Sequence, residues 1–302
     1  MLTHFIIFSF RPMPWRQGKD MPLASPILPA TLSMGAVALR SRDVNRLASF
    51  YQSVLGLQLH GRTPSAISLG AGDGALVELL NDPQATPSDR RTPGLFHLAL
   101  RVPDREALAE RVLAADQAGL RIGASDHLVS EAIYLDDPDG NGIEVYCDRE
   151  RSTWPWTDGR IAMETLPLDL KALASIAPPT PGPLPAGSDI GHVHLKVRDL
   201  EEAAAFWISL VGFDLMASYP GALFIAAGGY HHHLGLNVWS SRGAALPSPH
   251  RVGLDHLTIR LPIAEIDALA GRLLLSGTPH HYKDGGLRTA DPSGNAVRFQ
   301  AT

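Results

Sequence analysis

The residues most able to do chemistry in this chain are its imidazoles. There are 13 histidines against one cysteine, Cys147, among 302 residues, so a cysteine zinc cluster or a disulfide scaffold is excluded. Their placement is more informative than their number. In an extended strand, alternate side chains share a face. His192, His194 and Lys196 therefore lie opposite Val193, Leu195 and Val197; His97, Ala99 and Arg101 lie opposite Phe96, Leu98 and Leu100. Glu144 and Tyr146 oppose Ile143 and Val145 in the same way. Such strands present a polar face to the inside of a cup and an apolar face to covering helices. Two imidazoles and one carboxylate on a concave face are the ligand set of a non-haem iron(II) site with open positions. A run of three further histidines, His231, His232 and His233, follows Gly228-Gly229-Tyr230.

The elements that position these residues recur. Gly35–Asp43 reappears as Gly191–Asp199, and the correspondence continues through Phe50 and Phe206, Gly56 and Gly212, Leu59 and Leu215. His97–Pro103 resembles His256–Pro262, and Asp137-Pro-Asp-Gly-Asn141 resembles Asp291-Pro-Ser-Gly-Asn295. Each unit runs from an alternating strand through an aspartate into an amphipathic helix, then through three short strands broken by glycine. Asp43, Asp104 and Asp199 stand where helix N-caps belong, with helical patterns such as 105–118 and 201–210 behind them. The reading is α+β: four βαβββ modules, at 34–90, 95–150, 190–245 and 254–302, forming two cupped β-barrels flanked by helices. Residues 34–150 and 188–302 are the N- and C-terminal domains, joined by a proline-rich linker over 151–187, and 1–33 reads as a loose or mis-started tail, Met21 and Met34 being alternative starts.

The module pattern, with Asp137-Pro-Asp-Gly-Asn-Gly-Ile-Glu144 before a closing strand, resembles the vicinal oxygen chelate superfamily of glyoxalase I, bleomycin-resistance proteins and extradiol dioxygenases. Four modules with Gly228–Asn237 most resemble its catechol 2,3-dioxygenase-like branch. The resemblance covers residues 34–302. It implies that metal ligands come from the first strand of two modules and the last strand of one. The matching positions are Ala36, His97, His192 and His256 on first strands, and Glu144 and Arg298 on closing strands. If consecutive modules pair, one barrel lacks a histidine at Ala36 and the other carries a cation, Arg298, that cannot ligate a metal. If modules two and three pair, and one with four, His97, His192 and Glu144 form a complete triad. The second barrel, lined by Ala36, Glu78, His256 and Arg298, is then metal-free. The swapped pairing is preferred because it gathers every expected residue at one site.

The resemblance implies an extradiol ring-cleaving dioxygenase that takes a small aromatic diol and dioxygen at Fe(2+), with Mn2+ or another divalent metal as substitutes. It assigns acid–base work to a histidine of the run, best aligned to His232 with His231 or His233 as alternatives, and substrate-oxygen contacts to Tyr134 and His127. Strand alternation would turn His232 opposite to His231 and His233. His194 reads as a neighbour of the ligands, His256 as structural, Trp154, Trp156 and Trp239 as packing, and His280 and His281 as surface residues. Two other classes fit the same residues. One is a glyoxalase-like isomerase or lyase, which needs a fourth ligand from His231–His233; the other is a metal-free protein that binds a small molecule. A formal charge of -5 without basic runs argues against nucleic acid. The apolar run Phe5–Phe8 is too short to span a membrane and follows no basic segment, so neither membrane nor export is expected. A single thiol suits a reducing cytoplasm, and nothing in the sequence excludes a homo-oligomer.

Overall fold

The computed structural model describes residues 27–302. The Phe5–Phe8 run and most of the expected tail lie outside these residues. The tail's last stretch is packed: Leu28 and Leu32 are buried, and the Leu28 N–H donates to the Gly212 carbonyl at 3.0 Å.

All four modules have the expected order. The first comprises β1 (Ser33–Ser41), α1 (Val44–Ser53), β2 (Gln58–Arg62), β3 (Ala66–Ala71) and β4 (Gly74–Asn81). The second comprises β5 (Gly94–Arg101), α2 (Arg105–Gln117), β6 (Gly123–Asp126), β7 (Ser130–Asp136) and β8 (Gly142–Asp148). Between the second and third lie the two-residue strands β9 (Trp156–Thr157) and β10 (Arg160–Ile161) and the helical turn α3 (Leu170–Ala174). The third module comprises β11 (Asp189–Lys196), α4 (Leu200–Ala204), β12 (Asp214–Tyr219), β13 (Ala222–Ala226) and β14 (Leu234–Asn237). The fourth comprises β15 (Gly253–Leu261), α5 (Ile263–Leu275), β16 (His280–Lys283), β17 (Gly286–Ala290) and β18 (Ala296–Ala301).

Local chemistry sets the helix starts. Asp43 accepts from the Arg46 N–H, Asp104 from Ala107, and Asp199 from Glu201 and Glu202, so each satisfies amide donors of a first turn. The helix expected over 201–210 is regular only through α4; Ala205–Val211 widens into a π-helical turn that ends at Gly212, whose φ is 112°.

The modules pair out of order. One eight-stranded sheet runs β12-β13-β14-β11-β5-β8-β7-β6, and the other runs β16-β17-β18-β15-β1-β4-β3-β2. Each is an open, curled half-barrel. At the seam of the first, β11 lies antiparallel to β5, with His194 opposite His97 and His192 opposite Ala99. At the seam of the second, β1 lies antiparallel to β15, with Ala38 opposite His256. Modules two and three thus share one sheet, and one and four the other.

The apolar faces of both sheets and of the helices meet in one buried cluster that includes Val37, Leu39, Leu98, Leu100, Val193, Leu195, Leu257 and Ile259. Polar ties cross between the sheets at the two Asp-Pro-x-Gly-Asn turns. Tyr51 of module one donates to Asp137 of module two at 3.2 Å, and Trp207 of module three donates to Asp291 of module four at 3.3 Å. In each turn the aspartate also accepts from the asparagine's own backbone and side-chain N–H groups.

The expected stiff linker over 151–187 is a packed segment instead. Trp154, Ile161, Met163, Leu173 and Leu184 are buried within it, because apolar side chains between the prolines find core to cover. Cys147 is also buried, and burial pushes its thiol up to about 12. Native protein should therefore show no reaction with a colourimetric disulfide reagent at neutral pH, and one thiol per chain after denaturation. A full equivalent in the native state would contradict this packing.

Candidate metal centre and the residues around it

β5, β8 and β11 lie side by side in one sheet, so their alternating polar faces converge. His97 on β5, His192 on β11 and Glu144 on β8 are all buried. His97 Nε2 is 3.0 Å and His192 Nε2 3.1 Å from the same carboxylate oxygen of Glu144, and the two Nε2 atoms are 3.4 Å apart. These edges match adjacent corners of an octahedron with donors about 2.1–2.4 Å from its centre, the range of divalent cations with N and O ligands. The donor set is also correct for such an ion. Burial pushes the His192 imidazole down to about 4, with Glu144 only partly offsetting it. Burial would raise the Glu144 carboxyl, but His192 and His97 outweigh it and hold it well below the ordinary range. Neutral imidazoles and an ionised carboxylate are the forms that bind metal. Among the described residues no fourth histidine, cysteine, aspartate or glutamate joins the three.

The second sheet carries no such group among the described residues. His256 Nδ1 donates to Asp255 at 2.8 Å, and Asp255 also binds Arg40. Glu78 lies beside Ala38 on β4, and Arg298 lies beside Thr258 on β18 with its guanidinium bonded to the Asp284 carbonyl. Ala36 adds no donor. Alanine and arginine at the two decisive positions leave this half without a ligand set.

Close packing of β5 against β8 leaves room for nothing at Gly142 except glycine. A Cβ there would come within 2.2 Å of the Phe96 carbonyl oxygen and 3.1 Å of His97 Cβ. Gly142→Ala should therefore push β8 off β5 beneath His97, costing about 1–3 kcal/mol of stability. It should weaken cation retention although it removes no ligand. Thermal melting and metal content measured together check this, and an unchanged Tm with full metal content would refute it.

Around the triad the structure gathers the remaining expected residues. On β7, Tyr134 sits directly across from Glu144. Its hydroxyl donates to His127 Nε2 at 2.6 Å, while His127 Nδ1 donates to the Glu164 carbonyl at 2.7 Å, which fixes the imidazole tautomer. Burial, and then the charge of Glu144, push the Tyr134 phenol well above its ordinary value.

The histidine run departs from the strand reading. Gly228 and Gly229 take φ of 60° and 66°, so the chain turns and β14 begins only at Leu234. Alternation consequently does not separate the three. His231 and His232 are both buried, with their Nδ1 atoms 2.7 Å apart. The His232 ring lies on that of His192, with centroids 4.0 Å apart. His233 is turned to the backbone, its Nδ1 accepting the Ala227 N–H at 3.2 Å. Burial first, and then neighbouring imidazoles, hold His232 well below the ordinary histidine value.

Several participants escaped the sequence reading. Asp148 accepts from His231 Nε2 at 2.9 Å, from the Tyr230 hydroxyl at 2.9 Å and from Arg101 at 3.2 Å, and Tyr230 and Tyr146 share a hydrogen bond of 2.7 Å. A signal for Asp148 existed: with period two, it shares the β8 face of Glu144 and Tyr146. His194 accepts from the Asn237 side chain at 3.0 Å and packs edge-on to His97. Trp154 packs on His231 as expected. Trp239 is instead 53% exposed and meets Phe96 and His194 edge-on, so it forms an aromatic wall beside His194 rather than core. His281 is exposed, as expected, and His280 half-buried.

This geometry agrees with what the chain is similar to. The sequence pattern of the Glyoxalase/Bleomycin resistance protein/Dioxygenase superfamily matches residues 33–145 and 189–299. A catechol-2,3-dioxygenase of Bacillus subtilis (strain 168) is 40% identical over 274 residues, which are 88% of this chain and 96% of that protein. Two solved structures share the fold. A putative dioxygenase from Bacillus subtilis subsp. subtilis str. 168 has a TM-score of 0.60 at 13% identity, covering 92% of this chain and 86% of that one. Glyoxalase I from Zea mays has a TM-score of 0.55 at 18% identity, covering 89% and 92%. The repeated modules, the buried triad and these matches place the chain in the glyoxalase/bleomycin resistance protein/dioxygenase superfamily, in its catechol 2,3-dioxygenase-like branch.

Proposed function

We propose that this chain is an extradiol dioxygenase that opens the ring of a catechol-like diol, with iron(II) held by His97, His192 and Glu144. The observation that carries this reading is the triad itself: three buried ligands within bonding reach of one centre, and no fourth among the described residues. Three protein ligands leave positions for a bidentate diol and for dioxygen. A glyoxalase-like chemistry would need a fourth ligand from His231–His233. His231 spends both ring nitrogens on Asp148 and His232, and His233 spends Nδ1 on the backbone. The relative of 40% identity named for catechol 2,3-cleavage supports the same choice.

A divalent cation held by His97, His192 and Glu144 would supply Lewis-acid and template chemistry for the diol and dioxygen. The protein's own residues handle protons and orientation. His232, neutral through burial and stacked on a ligand ring, accepts a proton from the diol and returns it later in the cycle. Tyr134, aligned by His127 and lying beside the His97 ring, hydrogen-bonds to substrate oxygen. The Phe96, Trp239 and Phe224 rings offer apolar surface to an aromatic substrate.

The test is anaerobic reconstitution with iron(II), then addition of catechol and oxygen. A yellow ring-opened product with uptake of one dioxygen per diol is expected. Silence across several diols, in protein that has bound iron, would sink the reading. Tyr134→Phe in the same assay should lower kcat by about 10-fold, with metal content unchanged. An unaltered kcat would remove Tyr134 from the mechanism.

A further inference from the structure

Of the exposed aromatic side chains among the described residues, Phe96, Trp156, Trp239 and Tyr282, only Phe96 and Trp239 meet each other. The strand pairing explains Phe96. Between β5 and β11 the register slips: His194 stands opposite His97, but Leu195 stands opposite Leu95. Phe96 is thus the extra residue of a β-bulge, a device that re-aims a side chain. Strict alternation would send its ring to the face away from His97. Instead the two ring centroids are 5.4 Å apart, and Phe96 is 4.9 Å from His194.

Trp239 is fixed although it is 53% exposed. Its indole N–H donates to the Pro220 carbonyl at 3.1 Å, and its backbone N–H to Asn237 Oδ1 at 3.3 Å. Asn237 in turn donates from Nδ2 to His194 at 3.0 Å. Gly221, with φ of 78°, lies against the indole; a Cβ there would come within 3.0 Å of Trp239 Cδ1. Phe96 and Trp239 meet edge-on at 5.4 Å, and Trp239 is 5.5 Å from His194, which packs on the ligand His97 at 4.9 Å. On the inner side, Phe224 lies 5.6 Å from His194 and 5.0 Å from His232. Aromatic surface therefore starts beside the ligands and continues outward to solvent. A single diol ring bound at the triad covers the inner part, Phe224 and His194. The outer part, one ring further along, remains in water unless the diol carries more. The surface there is apolar and preorganised, and Lys196, the next residue on this face of β11, is already engaged by the Arg90 carbonyl at 3.1 Å.

We propose that Phe96 and Trp239 are specificity-determining residues, forming a subsite for a flat apolar substituent on the diol, such as a second attached ring. This deepens the dioxygenase reading and rests on it. Ring-on-ring contact at Trp239 favours such an extension over an alkyl or charged one.

The test uses the iron-loaded full chain with catechol, 3-phenylcatechol and 4-phenylcatechol. In the unaltered protein kcat/KM for the better phenyl diol should exceed that for catechol by at least about 10-fold. Trp239→Ala should lower this ratio by about 10-fold, whereas Trp239→Phe, which keeps a ring, should lower it by no more than about threefold. Phe96→Leu should lower it by about threefold, in the same sense. Calorimetric titration without oxygen gives a readout independent of turnover: Trp239→Ala should weaken binding of the phenyl diol about 10-fold more than binding of catechol. If Trp239→Ala does not fold, Trp239→Leu takes its place with the same expectations. Turnover of catechol with no advantage for either phenyl diol would overturn the subsite and leave the dioxygenase in place. An equal loss for catechol and phenyl diol in Trp239→Ala would show a merely structural role and also overturn it. An unmoved ratio in Phe96→Leu would remove Phe96 from the subsite. Absence of turnover with all three diols, in protein that has bound iron, would overturn the underlying reading instead.

Discussion

Glu144→Gln, loaded with iron(II) alongside the unaltered protein, should hold less than about a tenth as much metal after gel filtration and turn over catechol at least about 10³-fold more slowly. The size of the effect follows from burial. Glu144 supplies the one negative charge among the three ligand atoms, and both imidazole Nε2 atoms face the same oxygen of it. Glutamine preserves the shape but removes the charge, and it places an amide where the cation would need a carboxylate. The protein should still fold, because an uncharged amide is no harder to bury than the carboxylate it replaces. Metal content by elemental analysis, kcat and Tm measured on one preparation decide the outcome. Wild-type metal content in this variant would remove the triad, and with it the dioxygenase assignment.

His232→Ala should behave in the opposite sense. Its kcat should fall by about 10²–10⁴-fold, the usual range for loss of a positioned acid or base, with metal content intact. The structure separates the two variants clearly. His232 contributes no ligand atom to the triad and touches it only through the face of the His192 ring, 4.0 Å from centroid to centroid. His233→Ala is the internal control. His233 binds the Ala227 amide and makes no bond to Asp148 or His231, so its removal should cost turnover less than about threefold. If His233→Ala and His232→Ala exchanged these phenotypes, the alignment of the run would be off by one residue. Loss of metal in His232→Ala would instead mean that this histidine belongs to the ligand set.

Much of the site was legible because two short-range rules sufficed. Period-two alternation placed His97, His192, Glu144 and Tyr146 on polar faces, and aspartates ahead of helical patterns marked the helix starts that the caps of α1, α2 and α4 display. Alternation failed where the backbone left the strand. At Gly228 and Gly229 positive φ values turn the chain, so the reading that His231 and His232 face apart gave way to two adjacent rings whose Nδ1 atoms lie 2.7 Å apart. The proline-rich 151–187 segment was misjudged for a related reason. Proline content reports backbone stiffness, but burial of Trp154 and Leu173 depends on core surface that other modules supply.

What the sequence by itself determined is the inventory: four βαβββ modules, their boundaries to within a residue or two of β1, β5, β11 and β15, and the fact that, of the consecutive and swapped pairings compared at the ligand positions the resemblance implies, only the swapped one completes a ligand set. That last point needed no coordinates, because alanine at 36 and arginine at 298 cannot bind a cation. The tertiary structure decided which pairing occurs, since β5 against β11 and β1 against β15 are contacts between segments far apart in the chain, chosen by sheet edges and shared core rather than by any local pattern. It also decided the company His232 keeps. Asp148 and His231 are 83 residues apart, and no periodicity links them; only the seam between modules two and three brings a carboxylate, an imidazole and the candidate base into one line.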